Sequence, residues 1–180
     1  MKEEEAQNQI IKPTDLLYEL EEWLRNHHLE VWNSFCQKGG WEGWAQVNFM
    51  SHFVHKLDVI TQREIPIYND NSWAVDFIVN YNSLPLENEI HWELKCESVF
   101  QSGRDGRVHS DNKINEKVLH DIDKLRNYRS GNYTSGQALV TAIVFSPEAY
   151  KSVANIDGMQ MWDIQDETGE MVLAIGYMHI

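Results

Sequence analysis

Apolar positions along this chain recur at helical spacing in some stretches and in alternating or unbroken runs in others. After Pro13, the residues Leu16, Leu17, Leu20, Trp23 and Leu24, followed less regularly by Trp32 and Phe35, predict an N-terminal helical segment. Thr14 is its expected N-cap, Asp15 lies in the first turn, and Gly39-Gly40 ends it. A second helix is expected over 41–57. Its buried stripe is read as Trp44, Val47, Met50, Val54 and Leu57, with Phe53 at the edge. A third, over 113–128, presents Ile114, Val118, Ile122 and Leu125 on one face and Lys117, Asp121, Lys124 and Tyr128 on an adjoining one.

Between the second and third helices the period changes. Residues 63–68 read as a short strand in which Pro66 marks an edge or bulge, and 69–72 (Asn-Asp-Asn-Ser) as a turn. Residues 73–79 form an apolar run broken by one acid, Asp76. After a polar, Pro-containing loop, Ile90-His91-Trp92-Glu93-Leu94-Lys95-Cys96 reads as the next strand. Residues 138–145 are nearly all apolar, as in a strand covered on both faces. A short helix near 148–153 and a last strand over 171–178 follow. The order is helix, three strands, helix, strand, short helix, strand: an α/β chain without internal repeat. Residues 1–12, with a Glu triplet, are expected to be a flexible acidic tail, and 13–180 a single domain.

The chemistry gathers on the strand at 90–96. Alternation puts Glu93 and Lys95 on one face, and Trp92, Leu94 and Cys96 on the other. A carboxylate and an ammonium on an apolar strand are costly to bury unless they pair or bind an ion. Antiparallel pairing with 73–79 in a suitable register brings Asp76 beside them. A buried structural ion pair would also use these residues, but there are two acids to one base.

An Asp followed on the next strand by Glu-x-Lys resembles the active-site signature of the PD-(D/E)XK nuclease superfamily. The match is Asp76, Glu93, Leu94 and Lys95, with Val75 where the signature has Pro, and it covers a core of about 41–146. The resemblance implies a restriction-endonuclease-like αβββαβ core, a central mixed sheet flanked by helices, here with an extra N-terminal helix. It implies a Mg²⁺- or Mn²⁺-dependent nuclease, DNA more than RNA being the substrate. Asp76, Glu93 and the Leu94 backbone carbonyl would then hold the metal through hard oxygen ligands, and Lys95 would orient the attacking water. Glu42, on the first core helix, matches the acid that completes such sites, with Gln46 one turn on. Helix-dipole stabilisation explains a first-turn Glu42 as well. The Lys124-x-x-x-Tyr128 spacing matches that of a Gln-x-x-x-Tyr motif in the exonuclease branch but lacks its Gln.

Composition tempers the picture. A net charge of −13 argues against a general nucleic-acid binder. The basic residues concentrate after the Glu-x-Lys strand, where Arg104, Arg107, Lys117 and Lys124 become the candidate substrate contacts. Arg104 and Arg107 stand in a Gly-containing stretch, 98–112, read as a substrate-contacting flap or a solvated insertion. Two distant cysteines, and no zinc-type spacing of Cys or His, fit reduced thiols in a cytoplasmic protein. No run is long enough to span a membrane, and the N-terminus reads as having no signal peptide. Two other classes fit: a catalytically silent acidic relative that binds a protein partner, as inhibitor or immunity proteins do, and a nucleic-acid-binding subunit of a larger nuclease. A homodimer is compatible with each.

Overall fold

The computed structural model describes residues 9–37, 41–98 and 113–180. The stretch 99–112, with Arg104 and Arg107, lies outside the described residues. Among the described residues, five α-helices flank one mixed six-stranded sheet. In chain order these are α1 (Pro13–Asn26), α2 (His28–Phe35), α3 (Glu42–Lys56), β1 (Thr61–Ile65), β2 (Val75–Val79), β3 (Ile90–Cys96), α4 (Ile114–Asn127), β4 (Gln137–Val144), α5 (Pro147–Ala154), β5 (Gln160–Gln165) and β6 (Met171–His179). The strands lie in the order β1-β2-β3-β4-β6-β5. Among the described strands only β3 and β4 pair in parallel, and their connection carries α4.

Each face of the sheet covers its own core. On one, Leu16, Leu20, Trp23 and Leu24 of α1 and Ala45, Phe49 and Phe53 of α3 pack on Phe77, Trp92, Leu94, Leu139 and Ile143. On the other, Ile114, Val118, Ile122 and Leu125 of α4 and Ala149 and Val153 of α5 pack on Ile78, Val140, Ala142 and Ala174. The alternation along β3 decides which side chain meets which layer. Trp92, Leu94 and Cys96 join the first core, which leaves Glu93 and Lys95 for the α4 side.

Several expectations change. The N-terminal helical segment is two helices that part at His27, whose backbone leaves helical geometry. The N-cap is Lys12 rather than Thr14, with Pro13 in the first turn. Order also starts before residue 13: Ile11 is buried, and the Asn80 side chain bonds both its N–H (3.0 Å) and its carbonyl (2.8 Å). Helix α3 buries Ala45, Gln46, Phe49 and Phe53, whereas Trp44, Val47 and Val54 are exposed. This helix carries two apolar faces, and tilted and edge-on packing against Trp92 selects the one bearing the phenylalanines. β1 ends at Ile65 because Pro66 has no N–H for the ladder. β5 has few buried positions and exists through pairing with β6 across a tight turn, where Gly169 takes φ +85°.

Candidate active site

β2 and β3 pair at Val79↔Ile90, Ile78↔His91 and Phe77↔Trp92, and among the described residues the ladder goes no further. Continued by one step, this register sets Asp76 opposite Glu93. The other edge of β3 stays paired with β4 up to Cys96↔Ile143. The C-terminal half of β3 therefore has one open edge, whose N–H groups need acceptors. Two carboxylates supply them. Leu94 N–H donates to Asp76 Oδ2 at 2.8 Å, and Cys96 N–H donates to Glu42 Oε2 at 3.1 Å. Asp76 comes from the adjacent strand and Glu42 from the first turn of α3, and the backbone of β3 orients both.

The Lys95 ammonium stands among the oxygens these bonds aim. Its Nζ lies 3.3 Å from Glu42 Oε1, 3.4 Å from Asp76 Oδ2, 3.1 Å from the Leu94 carbonyl and 3.0 Å from Asp121 Oδ2. An ammonium has three hydrogens to donate, so four oxygens exceed its capacity. Burial works to lower the Lys95 pKa, but the Asp76, Asp121, Glu42 and Glu93 charges outweigh it and hold the pKa well above the usual lysine value. Burial raises the pKa of Glu42, as does the nearby Asp76 charge, while Lys95 and the Cys96 amide oppose the rise.

Glu93 belongs to a second, adjoining group. Its Oε1 accepts from the Tyr68 hydroxyl at 2.5 Å and from Lys124 Nζ at 2.8 Å. Tyr68 is positioned by the β1–β2 connection, where it bridges to Arg129. Lys124 also pairs with Asp121 Oδ1 at 2.8 Å, one turn back on α4. Burial pushes the Glu93 carboxyl up to about 8, helped by the Asp121 and Asp76 charges and resisted by Lys95 and Lys124. Lys124 rises above its ordinary value because Glu93 and Asp121 outweigh its own burial. Burial and the Glu93 charge raise Tyr68 strongly, so it remains a neutral donor. Together the two groups hold four carboxylates (Glu42, Asp76, Glu93, Asp121) and two ammoniums (Lys95, Lys124), a formal surplus of two negative charges.

The structure thus gathers Asp76, Glu93, Lys95, Glu42 and the Leu94 carbonyl. The other expected contacts stand in different surroundings. Gln46 is buried, and its Oε1 accepts from Arg63 at 2.7 Å. Lys117 is exposed on α4. Lys124, expected to face substrate, is 8% exposed and committed to Glu93 and Asp121. Asp121, read on the face adjoining the buried stripe of α4, is 2% exposed at the centre of the cluster. Its signal was its spacing of three and four residues from Val118 and Leu125, on the border of the buried stripe. Tyr68 had no such signal, because its place depends on how the chain leaves β1.

The donor chemistry suits a hard cation: carboxylate and carbonyl oxygens surround a positive charge. Spread around an ammonium, these oxygens stand wider than metal ligands do. Among the described residues, no three Asp, Glu, His or Cys side chains are gathered closely enough to hold a metal ion. A cavity of about 640 Å³ lined by Arg25, His28, Gln165 and Asp166 lies by β5, at the other end of the sheet from β1 and β2. It holds none of these residues. Compared with protein-family models, curated proteins and solved structures, the chain finds no match.

Proposed function

We propose that the chain is a metal-dependent nuclease that hydrolyses phosphodiester bonds, in DNA ahead of RNA, with Mg²⁺ or Mn²⁺. The observation that carries this reading is the set of oxygens from Glu42, Asp76 and Leu94 that the open edge of β3 aims at Lys95. The chain order α3-β1-β2-β3-α4-β4, with β3 parallel to β4, supports it, since it follows the αβββαβ order of the restriction-endonuclease-like core. Glu42, Asp76 and the Leu94 carbonyl are the groups suited to hold the metal, which supplies Lewis acidity and a more acidic water when bound. Lys95, 15% exposed and anchored on a rigid strand, offsets negative charge at phosphorus and orients water. Tyr68 and Lys124 keep Glu93 fixed below it.

The test is cleavage of linear duplex DNA, circular DNA and RNA by purified protein in Mg²⁺, in Mn²⁺ and in chelator. Wild type should cut with metal only, and Asp76→Asn should lose at least about a hundredfold in rate, an effect typical of losing a group that stabilises the transition state. Cutting in chelator, or wild-type cutting by Asp76→Asn, would overturn the reading. The net charge of −13 favours a second reading, a silent relative that binds a basic protein partner. Absence of cutting on every substrate would point there, unless the protein still binds nucleic acid, which would favour a subunit of a larger nuclease.

A further inference from the structure

Strand alternation builds a second concave site at the far end of the sheet from β1 and β2. Gln160 and Trp162 stand two apart on β5, Tyr177 and His179 two apart on β6, and the register sets Gln160 opposite Tyr177. All four side chains therefore share one face of the sheet. It is the face that α1 covers, since Trp162 and Tyr177 pack against the same core as Leu16, Leu20 and Leu24. Thr14 and Tyr18 of α1 close the rim around a cavity of about 270 Å³. Tyr18 is 60% exposed, so the rim is open to solvent.

The rings of this cavity are inclined to one another. Tyr18 meets Trp162 edge-on with centroids 4.9 Å apart at 87°, Trp162 and Tyr177 lie 6.4 Å apart at 61°, and Tyr177 and His179 6.0 Å apart at 81°. A flat guest such as a nucleobase stacks on a ring it can lie parallel to, and rings set crosswise offer it only one at a time. A compact cation is drawn to ring faces from several sides at once. The Tyr177 hydroxyl donates to Gln160 Oε1 at 2.6 Å, which fixes that ring and makes it richer in electrons. Among the described residues no lysine or arginine lines the cavity. Asp15, exposed in the first turn of α1 and three residues before Tyr18, offsets the positive end of that helix.

We propose that this cavity binds a quaternary ammonium group, carried by a small molecule or by a methylated lysine side chain. The net charge of −13 draws such a cation in. Methyl groups weaken the hydration of the nitrogen, so aromatic faces compete with water for it as they cannot for a bare ammonium. The site shares no residue with the Lys95 cluster and is independent of the nuclease reading.

Choline is the first probe, beside its uncharged isostere with a tert-butyl group in place of trimethylammonium. A short peptide carrying trimethyl-lysine, the same peptide with unmodified lysine, and adenosine as the flat guest complete the set. Binding to the full chain is followed by calorimetry and by the Trp162 indole N–H resonance. The quaternary probes should bind at least about tenfold more tightly than their isostere or unmodified counterpart. Peptide binding at least as tight as that of choline assigns the cation to a protein partner, and weaker peptide binding assigns it to a free small molecule; both support the site. Trp162→Leu and Tyr18→Leu should each lose about tenfold in affinity for the quaternary probes. Tyr18→Leu alters only an exposed rim and should melt as wild type does, so it decides if Trp162→Leu does not fold. The proposal is overturned if the isostere binds as tightly as choline, if adenosine binds more tightly than either quaternary probe, or if Tyr18→Leu binds as wild type does. Absence of saturable binding by both choline and the trimethyl-lysine peptide overturns it too.

Discussion

A single buried imidazole shows how one side chain ties stability to pH. His91 is fully buried, with Arg129 Nη1 3.4 Å from its Nδ1, Glu89 Oε2 3.4 Å from its Nε2, and the Tyr133 ring beside it. Burial, with Arg129 second, lowers its pKa to about 4. Unfolded, the group titrates near 6.5, so between about 4 and 6.5 the unfolded chain binds more protons than the folded one. The His91 contribution to stability therefore rises with pH across that window and falls on acidification, by about 3 kcal/mol in full, while the raised Glu93 carboxyl contributes in the opposite sense. In urea melts at pH 4.5 and 7, stability should rise less with pH in His91→Gln than in wild type. An equal slope in both would remove His91 as its source. The same ring explains why residue 136 is glycine: a Cβ there would meet His91 Cε1 at 2.6 Å.

At the scale of an element, α3 shows two apolar faces competing for one sheet. Phe49 and Phe53 face Trp92, which also stacks on Phe77 with ring centroids 4.6 Å apart. Val47, 55% exposed, lies on the side left to solvent. Phe49→Ala should cost about 3–5 kcal/mol through the cavity it leaves, and Val47→Ala less than about 0.5 kcal/mol. Denaturant titration of both variants checks the assignment, and comparable losses would contradict it. The orientation matters beyond the core, because the face that carries Phe49 and Phe53 also turns Gln46 inward and brings Glu42 to the end of β3. Helix packing and carboxylate placement are thus one event.

For the molecule as a whole, the question is which positive charge faces solvent in a chain of net −13. Lys117 and Lys124 belong to the same helix but to different environments. Lys117 is exposed, whereas Lys124 neutralises Glu93 and Asp121 in the interior. If nucleic acid binds along α4, Lys117→Gln should weaken binding and reduce the slope of log affinity against log salt by about one. Lys124→Gln should leave that slope unchanged and destabilise the fold by about 3–5 kcal/mol, because it strands two buried carboxylates. Binding titrations at several salt concentrations, with melts on the same proteins, separate the two. A changed slope for Lys124→Gln would place that lysine on the substrate instead.

The local patterns were legible in the sequence. Alternation located β3 with the bounds Ile90–Cys96 and put Glu93 and Lys95 on one face, and the 3.6-residue period found the buried side of α4. These features depend on neighbours a few residues apart, which the chain states directly. What the tertiary structure decided involves partners far apart in sequence: Glu42 on the Cys96 amide, 54 residues away, Tyr68 on Glu93, and Asp121 on Lys95. The face chosen by α3 was likewise open, since both of its faces were apolar enough to bury. The charges followed the same logic. A charged residue on a helix reads as solvated until packing removes its water, and only the docking of α4 on the sheet turned Asp121 and Lys124 from surface residues into the floor of the site.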